Sequence, residues 1–156
     1  MKTYKLNKIL SLLLTFCFLL SCGYEPIYSS KNINFSIVEI EKENTPLNNE
    51  FARTLKTFEN ENTLNKVKIK IESSKKVETK SKDSKGNPNV YELNMSLKMI
   101  VFEKNSNKVI QKQFSENINF NNQDDKFQLN QYQKELEELL INRIIDDVLK
   151  FLSNLK

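Results

Sequence analysis

Few side chains in this chain can do covalent chemistry: it has no histidine, its only cysteines are Cys17 and Cys22, and its only glycines are Gly23 and Gly86. Nucleophile-base pairs, imidazole or thiolate metal sites and glycine-rich phosphate loops are hard to build from such a set. Paired carboxylates exist at Glu137 with Glu138 and at Asp146 with Asp147, but both pairs lie in a helical pattern. Adjacent helical residues diverge by about 100°, so neither pair converges on a substrate and a solvated helix face accounts for them. The expectation is a protein that is not an enzyme and needs no cofactor or metal. Two features are left with chemical content: the thiol of Cys22, and a run of lysines from Lys66 to Lys85.

Cys22 directly follows an apolar segment. Lys2, Lys5 and Lys8 come first with no acid among them, then "ILSLLLTFCFLL" from Ile9 to Leu20, then Ser21. A charged head, a short greasy core and a small exit residue form the pattern of a secretory signal. A membrane-spanning helix needs roughly 20 apolar residues, and this core has 12, interrupted by Ser11 and Thr15. The "LLSC" exit resembles the lipobox of bacterial lipoproteins, although Leu20 is bulkier than the residue usual there. The resemblance implies that Cys22 takes a diacylglyceryl group on sulfur, the strong nucleophile among small side chains, and that cleavage falls just before it. Each buried methylene contributes about 0.8 kcal/mol, and two or more acyl chains hold a protein stably at a bilayer. Gly23, in place of an aspartate at the second mature position, implies by the same resemblance transfer to the outer membrane.

The expected organisation is therefore a signal peptide over 1–21, a lipidated tether over 22–32 and one domain over 33–156. Without the leader 135 of the 156 residues remain, a single domain with enough chain for one core. Cys17 leaves with the leader and Cys22 is lipid-blocked, so no disulfide is expected in the mature chain. Three of the 24 basic residues also leave, so 21 bases face 20 acids and the global charge is near neutral. No nucleic-acid partner is expected from that balance. Locally, Lys66, Lys68, Lys70, Lys75, Lys76, Lys80, Lys82 and Lys85 share their stretch with only Glu72, Glu78 and Asp83. These lysines form the one strong local field read from the sequence. Lysine on the open side of a sheet is also an ordinary solubility device, and the chain is rich in lysine, asparagine and isoleucine throughout.

The elements that position them follow from periodicity. Over 33–41, Ile33, Phe35 and Ile37 alternate with Val38 and Ile40, a strand. Thr45 then Pro46 is a helix start, a hydroxyl N-cap followed by proline where its missing N–H costs nothing. Leu47, Phe51, Leu55 and Phe58 continue at helical spacing, giving a helix over 46–60. Val67, Ile69 and Ile71 alternate with Lys66, Lys68, Lys70 and Glu72, so one face is core and the other basic. "DSKGNPN" turns the chain. Tyr91, Leu93, Met95, Leu97, Met99 and Val101 form the core side of a long strand, and Ile110, Phe114, Ile118 and Phe120 that of another over 109–120. Leu136, Leu140, Ile144, Val148 and Leu152 then step along a helix over about 123–154, with a stripe widened by Leu139, Ile141, Ile145 and Phe151. The widening is expected to leave some surface for a partner. The order β-α-β-β-β-α predicts an α+β fold with two helices packed on one face of a four-stranded sheet.

A lipobox, then "CGYEPIY" at the anchor, then β-α-β-β-β-α, resembles the LPS-assembly lipoprotein family LptE. Members often open their mature chain with Cys-Gly, an aromatic residue, a variable position, Pro, Leu or Ile, and Tyr; here Cys22, Gly23, Tyr24, Pro26, Ile27 and Tyr28 fill that pattern. The motif is short and the remainder matches by element order alone. The resemblance implies an outer-membrane lipoprotein, lipid-anchored on the periplasmic side, that sits inside the barrel LptD, assists its assembly and helps lipopolysaccharide reach the outer leaflet. Under it, Lys66, Lys68, Lys70, Lys75, Lys76, Lys80, Lys82 and Lys85 are candidate contacts for the phosphates of lipopolysaccharide, as point charges, and Tyr24 and Tyr28 bear on the barrel or cap the domain. The alternative from another class is a periplasmic auxiliary lipoprotein of a lipid-transporting ABC system.

Overall fold

A computed structural model describes residues 35–58, 63, 66–103 and 108–155. The leader, Cys22, the "GYEPIY" tether and Ile33 lie outside the described residues. The order is β1 (Ser36–Lys42), α1 (Pro46–Lys56), β2 (Lys66–Lys82), β3 (Pro88–Glu103), β4 (Val109–Asn121) and α2 (Lys126–Ser153). The sheet runs β1-β2-β3-β4, with β1 parallel to β2 and the other pairs antiparallel. The fold is therefore α+β in the expected order: a β1-α1-β2 crossover followed by a meander and a closing helix.

Alternation along the strands decides the core. Val67, Ile69 and Ile71 on β2, and Leu93, Met95, Leu97, Met99 and Val101 on β3, are buried, while the residues between them face away from the helices. Phe114 and Phe120 bring β4 into the same layer. Two ring contacts join it to the helix layer, Phe114 to Phe151 at 5.8 Å and Phe120 to Tyr132 at 6.3 Å between centroids, and a third, Phe120 to Tyr91 at 5.5 Å, joins it to β3. Fully burying an aliphatic side chain of this size contributes about 1.5–3 kcal/mol, so β3, buried along five alternate positions, anchors the domain.

The helices begin as their sequences dictate. Thr45 has extended backbone and its hydroxyl accepts the Asn48 N–H at 3.2 Å, with Pro46 in the first turn. The Asp125 carboxylate does the same for α2, accepting from Phe127 at 2.8 Å and Gln128 at 3.3 Å. The first helix closes at Lys56, short of the expected 60, with the Thr57 hydroxyl donating to the Thr54 carbonyl at 2.7 Å. On α2 the widened stripe has a partner already: Ile141, Ile145 and Leu149 are buried together with Leu140, Ile144 and Val148, and α2 touches α1 as well as β3 and β4. Of the residues that widen it, Leu139 is the one that stays outward, 39% exposed.

One side chain sits on the opposite face from the expected one. Ile40 packs against the core rather than facing away from Ile37. The pairing runs Ile37 to Val67, then Glu39 to Lys68 and Ile40 to Ile69, leaving Val38 as an extra residue between them. A single inserted residue inverts the parity of everything after it. Val38 consequently stands 53% exposed.

Candidate functional site

The lysines belong to β2 and to the turn after it, and alternation together with three short connections decides what each one meets. The first three lie on the open face of the sheet. Lys66 is exposed at the start of the strand. Lys68 reaches across to β1, 2.6 Å from Glu41 and 3.2 Å from Glu39. Lys70 meets Glu72 at 3.6 Å, and Glu72 also receives Lys98 of β3 at 3.4 Å.

Further along, Lys76 pairs with Glu78 at 2.7 Å on the same strand. Lys80 falls at an irregularity between Thr79 and Ser81 and pairs with Glu92 of β3 at 3.0 Å. Glu92 accepts a second hydrogen bond from Asn94 at 3.1 Å. Lys75 departs from the others, because its parity is that of Ile71 and Ser73. It lies on the helix side, 2.8 Å from Glu137 of α2, which also accepts from Gln133 at 2.8 Å.

Lys82 closes β2, and Lys85 stands in the turn before β3. That turn is held by Asp83, whose carboxylate accepts the Lys85 N–H at 2.9 Å and the Asn87 N–H at 2.8 Å. Gly86 occupies it at φ +86°, a conformation that favours glycine. Lys66, Lys82 and Lys85 form no ion pair among the described residues, whereas Lys68, Lys70, Lys75, Lys76 and Lys80 each do.

The proton affinities agree with this pairing. The Lys68 ammonium, hydrogen-bonded to Glu41 and Glu39, is held above the usual lysine value, and Glu41 is lowered by the same contact. Lys76 is raised by its hydrogen bond to Glu78. Glu92 is lowered by hydrogen bonds from Lys80 and Asn94, and Asp83 chiefly by the backbone N–H of Asn87. Apart from Glu92, whose side chain is 15% exposed, these groups are solvent-facing, so their contacts are worth little individually.

The block is thus a lattice of ion pairs more than a free basic patch. Of the acids that offset it, Glu72 and Glu78 lie on β2 itself, while Glu39, Glu41, Glu92 and Glu137 are remote in sequence and are brought in by the parallel pairing of β1, the β2-β3 hairpin and α2. Strand parity could have placed Glu92 opposite the lysines; no local signal pointed to Glu137. What the arrangement offers a ligand is unpaired ammonium groups at the two ends of β2, Lys66 at one and Lys82 with Lys85 at the other, with exchangeable ion pairs between. Among the described residues no group of three potential metal ligands comes together, and no helix is long and apolar enough to cross a membrane.

A shallow hollow of about 730 Å³ lies against β1 at the Lys66 end, lined by Ser36 to Ile40, Lys56 and Lys66. At the other end of β1 the chain makes a built contact: Asn48, buried at the start of α1, accepts from the Ser73 N–H at 2.9 Å and the Ser73 hydroxyl at 2.6 Å, and donates to the Glu43 carbonyl at 3.2 Å.

No family model matches the sequence, and no curated protein matches it. Solved structures do share the fold. The chain is similar to lipoprotein B from Nitrosomonas europaea, at 13% identity and a TM-score of 0.61, over 84% of this chain and 90% of that one. It is similar to rare lipoprotein B from Shewanella oneidensis, at 14% identity and a TM-score of 0.53, over 77% and 96%. A minor lipoprotein from Acinetobacter baumannii matches at 11% identity and a TM-score of 0.52, over 78% and 93%. At such identities the likeness is one of fold.

Proposed function

We propose that this chain is a bacterial lipoprotein of LptE type: anchored in the outer membrane through lipid on Cys22, it plugs and assists assembly of the LptD barrel and helps deliver lipopolysaccharide to the outer leaflet. The observation that carries this reading is a coincidence of two independent features. The sequence places "CGYEPIY" directly behind a lipobox-like exit, and the fold that follows is shared over most of its length with proteins described as lipoproteins.

The chemistry is compatible. A barrel lumen is polar and wet, and the open face of this sheet is polar over most of its area, with charged pairs on β1 and β2 and Asn, Gln and Ser on β4. Lipopolysaccharide phosphates suit ammonium groups that are unpaired or only loosely paired, and on that argument Lys66, Lys82 and Lys85 lead the candidate set. The catalytic role is taken to be none, since the chain lacks the side chains that would carry one.

The experiment is co-purification of the tagged full chain in mild detergent from its native membrane. A stoichiometric complex with a large β-barrel is the expected result. Recovery of an inner-membrane transporter with no barrel would overturn this reading and favour the ABC auxiliary lipoprotein.

A further inference from the structure

The free edge of β4 carries a self-complementary sequence. β4 is the last strand of the sheet, 13 residues long, and it pairs with β3 without a register shift from Val90–Asn121 through to Phe102–Val109. A long unbulged edge without proline is a template for another strand. The opposite edge differs, since β1 is 7 residues long and is bulged at Val38.

Residues 110–118 read I-Q-K-Q-F-S-E-N-I. If a second copy pairs antiparallel with Phe114 at the two-fold axis, Ile110 meets Ile118, Gln111 meets Asn117 and Lys112 meets Glu116, each of these twice. All such partners share a face, because residues equidistant from one centre have the same parity. We infer that this chain forms a two-fold homodimer by antiparallel pairing of the β4 edges across Phe114.

Three observations favour a copy of the chain over another occupant. The first is charge. Lys112 is exposed and enters no ion pair among the described residues, and Glu116 has only the guanidinium of Arg143 at 3.9 Å. A lone lysine at an edge ordinarily repels self-pairing, but here the symmetric position is an acid. The second is apolar exposure: Ile110 and Ile118 are half-buried, and Leu139, one helical turn before Arg143, is 39% exposed on the flank of α2 that adjoins this edge. The third is room. α2 packs on both β3 and β4, so with strands about 4.8 Å apart a helix centred over that pair stands ~5 Å from the axis and ~10 Å from its copy, an ordinary helix packing distance.

The proposal does not rest on the barrel reading, since it concerns the chain outside any barrel, and its test needs no second protein. The full chain is followed by sedimentation velocity in a density-matched detergent over a dilution series. Wild type is expected to associate reversibly to a dimer. Lys112→Glu, or Glu116→Lys, turns two attractive pairs into two repulsive ones and should raise Kd by roughly tenfold or more. An equimolar mixture of the two variants should dimerise again, because in the mixed pair every acid faces a lysine. A wild type that stays monomeric, single variants that associate like wild type, or a mixture no better than its components would overturn the inference. Should Glu116→Lys misfold against Arg143, Lys112→Glu compared with Lys112→Arg decides: the reversal weakens the dimer and the conservative change does not, and equal behaviour of the two refutes it.

Discussion

The Asn48 carboxamide takes over hydrogen bonding at the point where β1 runs out. β1 pairs with β2 as far as Lys42–Ile71, and the next N–H on that edge to need a partner, that of Ser73, finds the Asn48 Oδ1 at 2.9 Å. A side chain at a helix start thus finishes a strand edge.

Removing it leaves a half-buried donor unsatisfied, which costs about 1–3 kcal/mol, with the lost Ser73 hydroxyl contact added. Asn48→Leu is therefore expected to lower unfolding free energy by about 2–3 kcal/mol in urea with an unchanged slope. A loss under about 0.5 kcal/mol would show that water serves Ser73 equally well.

Neighbours on β3 should behave oppositely. Leu97 is fully buried, whereas Lys98 faces the open side near Glu72. Leu97→Ala should cost about 2–5 kcal/mol, and Lys98→Gln under about 1 kcal/mol. Equal losses in denaturant titrations would contradict the assigned parity.

The pH profile follows from the shifted groups. Glu41, Glu92 and Asp83 are lowered, so their contribution is complete above the unfolded carboxylate values near pH 4 and is lost as pH falls through the lower folded values. Lys68 and Lys76 are raised, so theirs is complete below about pH 10.4 and is lost as pH climbs through the higher folded values. With no histidine in the chain, Tm should be flat between roughly pH 6 and 9. Glu41→Gln should shrink the acid limb of the curve; a transition near pH 6.5 would point to a titrating group not identified among these residues.

The lysines divide into two testable sets. Under the proposed function, Lys66→Gln with Lys82→Gln and Lys85→Gln removes the unpaired cations and should weaken lipopolysaccharide binding and flatten its salt dependence. Lys68→Gln with Lys76→Gln and Lys80→Gln removes cations already engaged and should do less. Equal effects, or none, in titrations at two ionic strengths would return the block to a solubility role.

Anchoring has a direct readout. Cys22→Ser should abolish lipid modification and leave the leader uncleaved, and intact-mass spectrometry of wild type should show the acylated residue 22 as the N-terminus. An unmodified thiol there would remove the lipoprotein reading.

How much of this was legible beforehand depends on the range of each interaction. Alternation at Val67, Ile69 and Ile71, and from Leu93 to Val101, is set by the local pleat, so the core strands could be read directly. The Thr45-Pro46 start is equally local. Ile40 was not legible, because the Val38 insertion exists only relative to β2. The pairing of Lys75 with Glu137 joins residues 62 apart and needed the packed helix to be seen. For the same reason a block that looked strongly basic along the chain is largely offset in space, and the surplus stripe on α2 that suggested a partner surface is mostly buried within the domain.

The parallel placement of β1 also predicts an order of assembly. β2, β3 and β4 are joined by hairpins, whose closure is fast, while β1 gains its backbone bonds only after the whole α1 crossover has been gathered in, a larger loop with a higher entropic barrier. β1, the first strand among the described residues, is thus expected to dock late, leaving the Val67–Ile71 rim of β2 open until it does. Under the proposed function, a chain tethered through Cys22 would finish folding next to its own anchor.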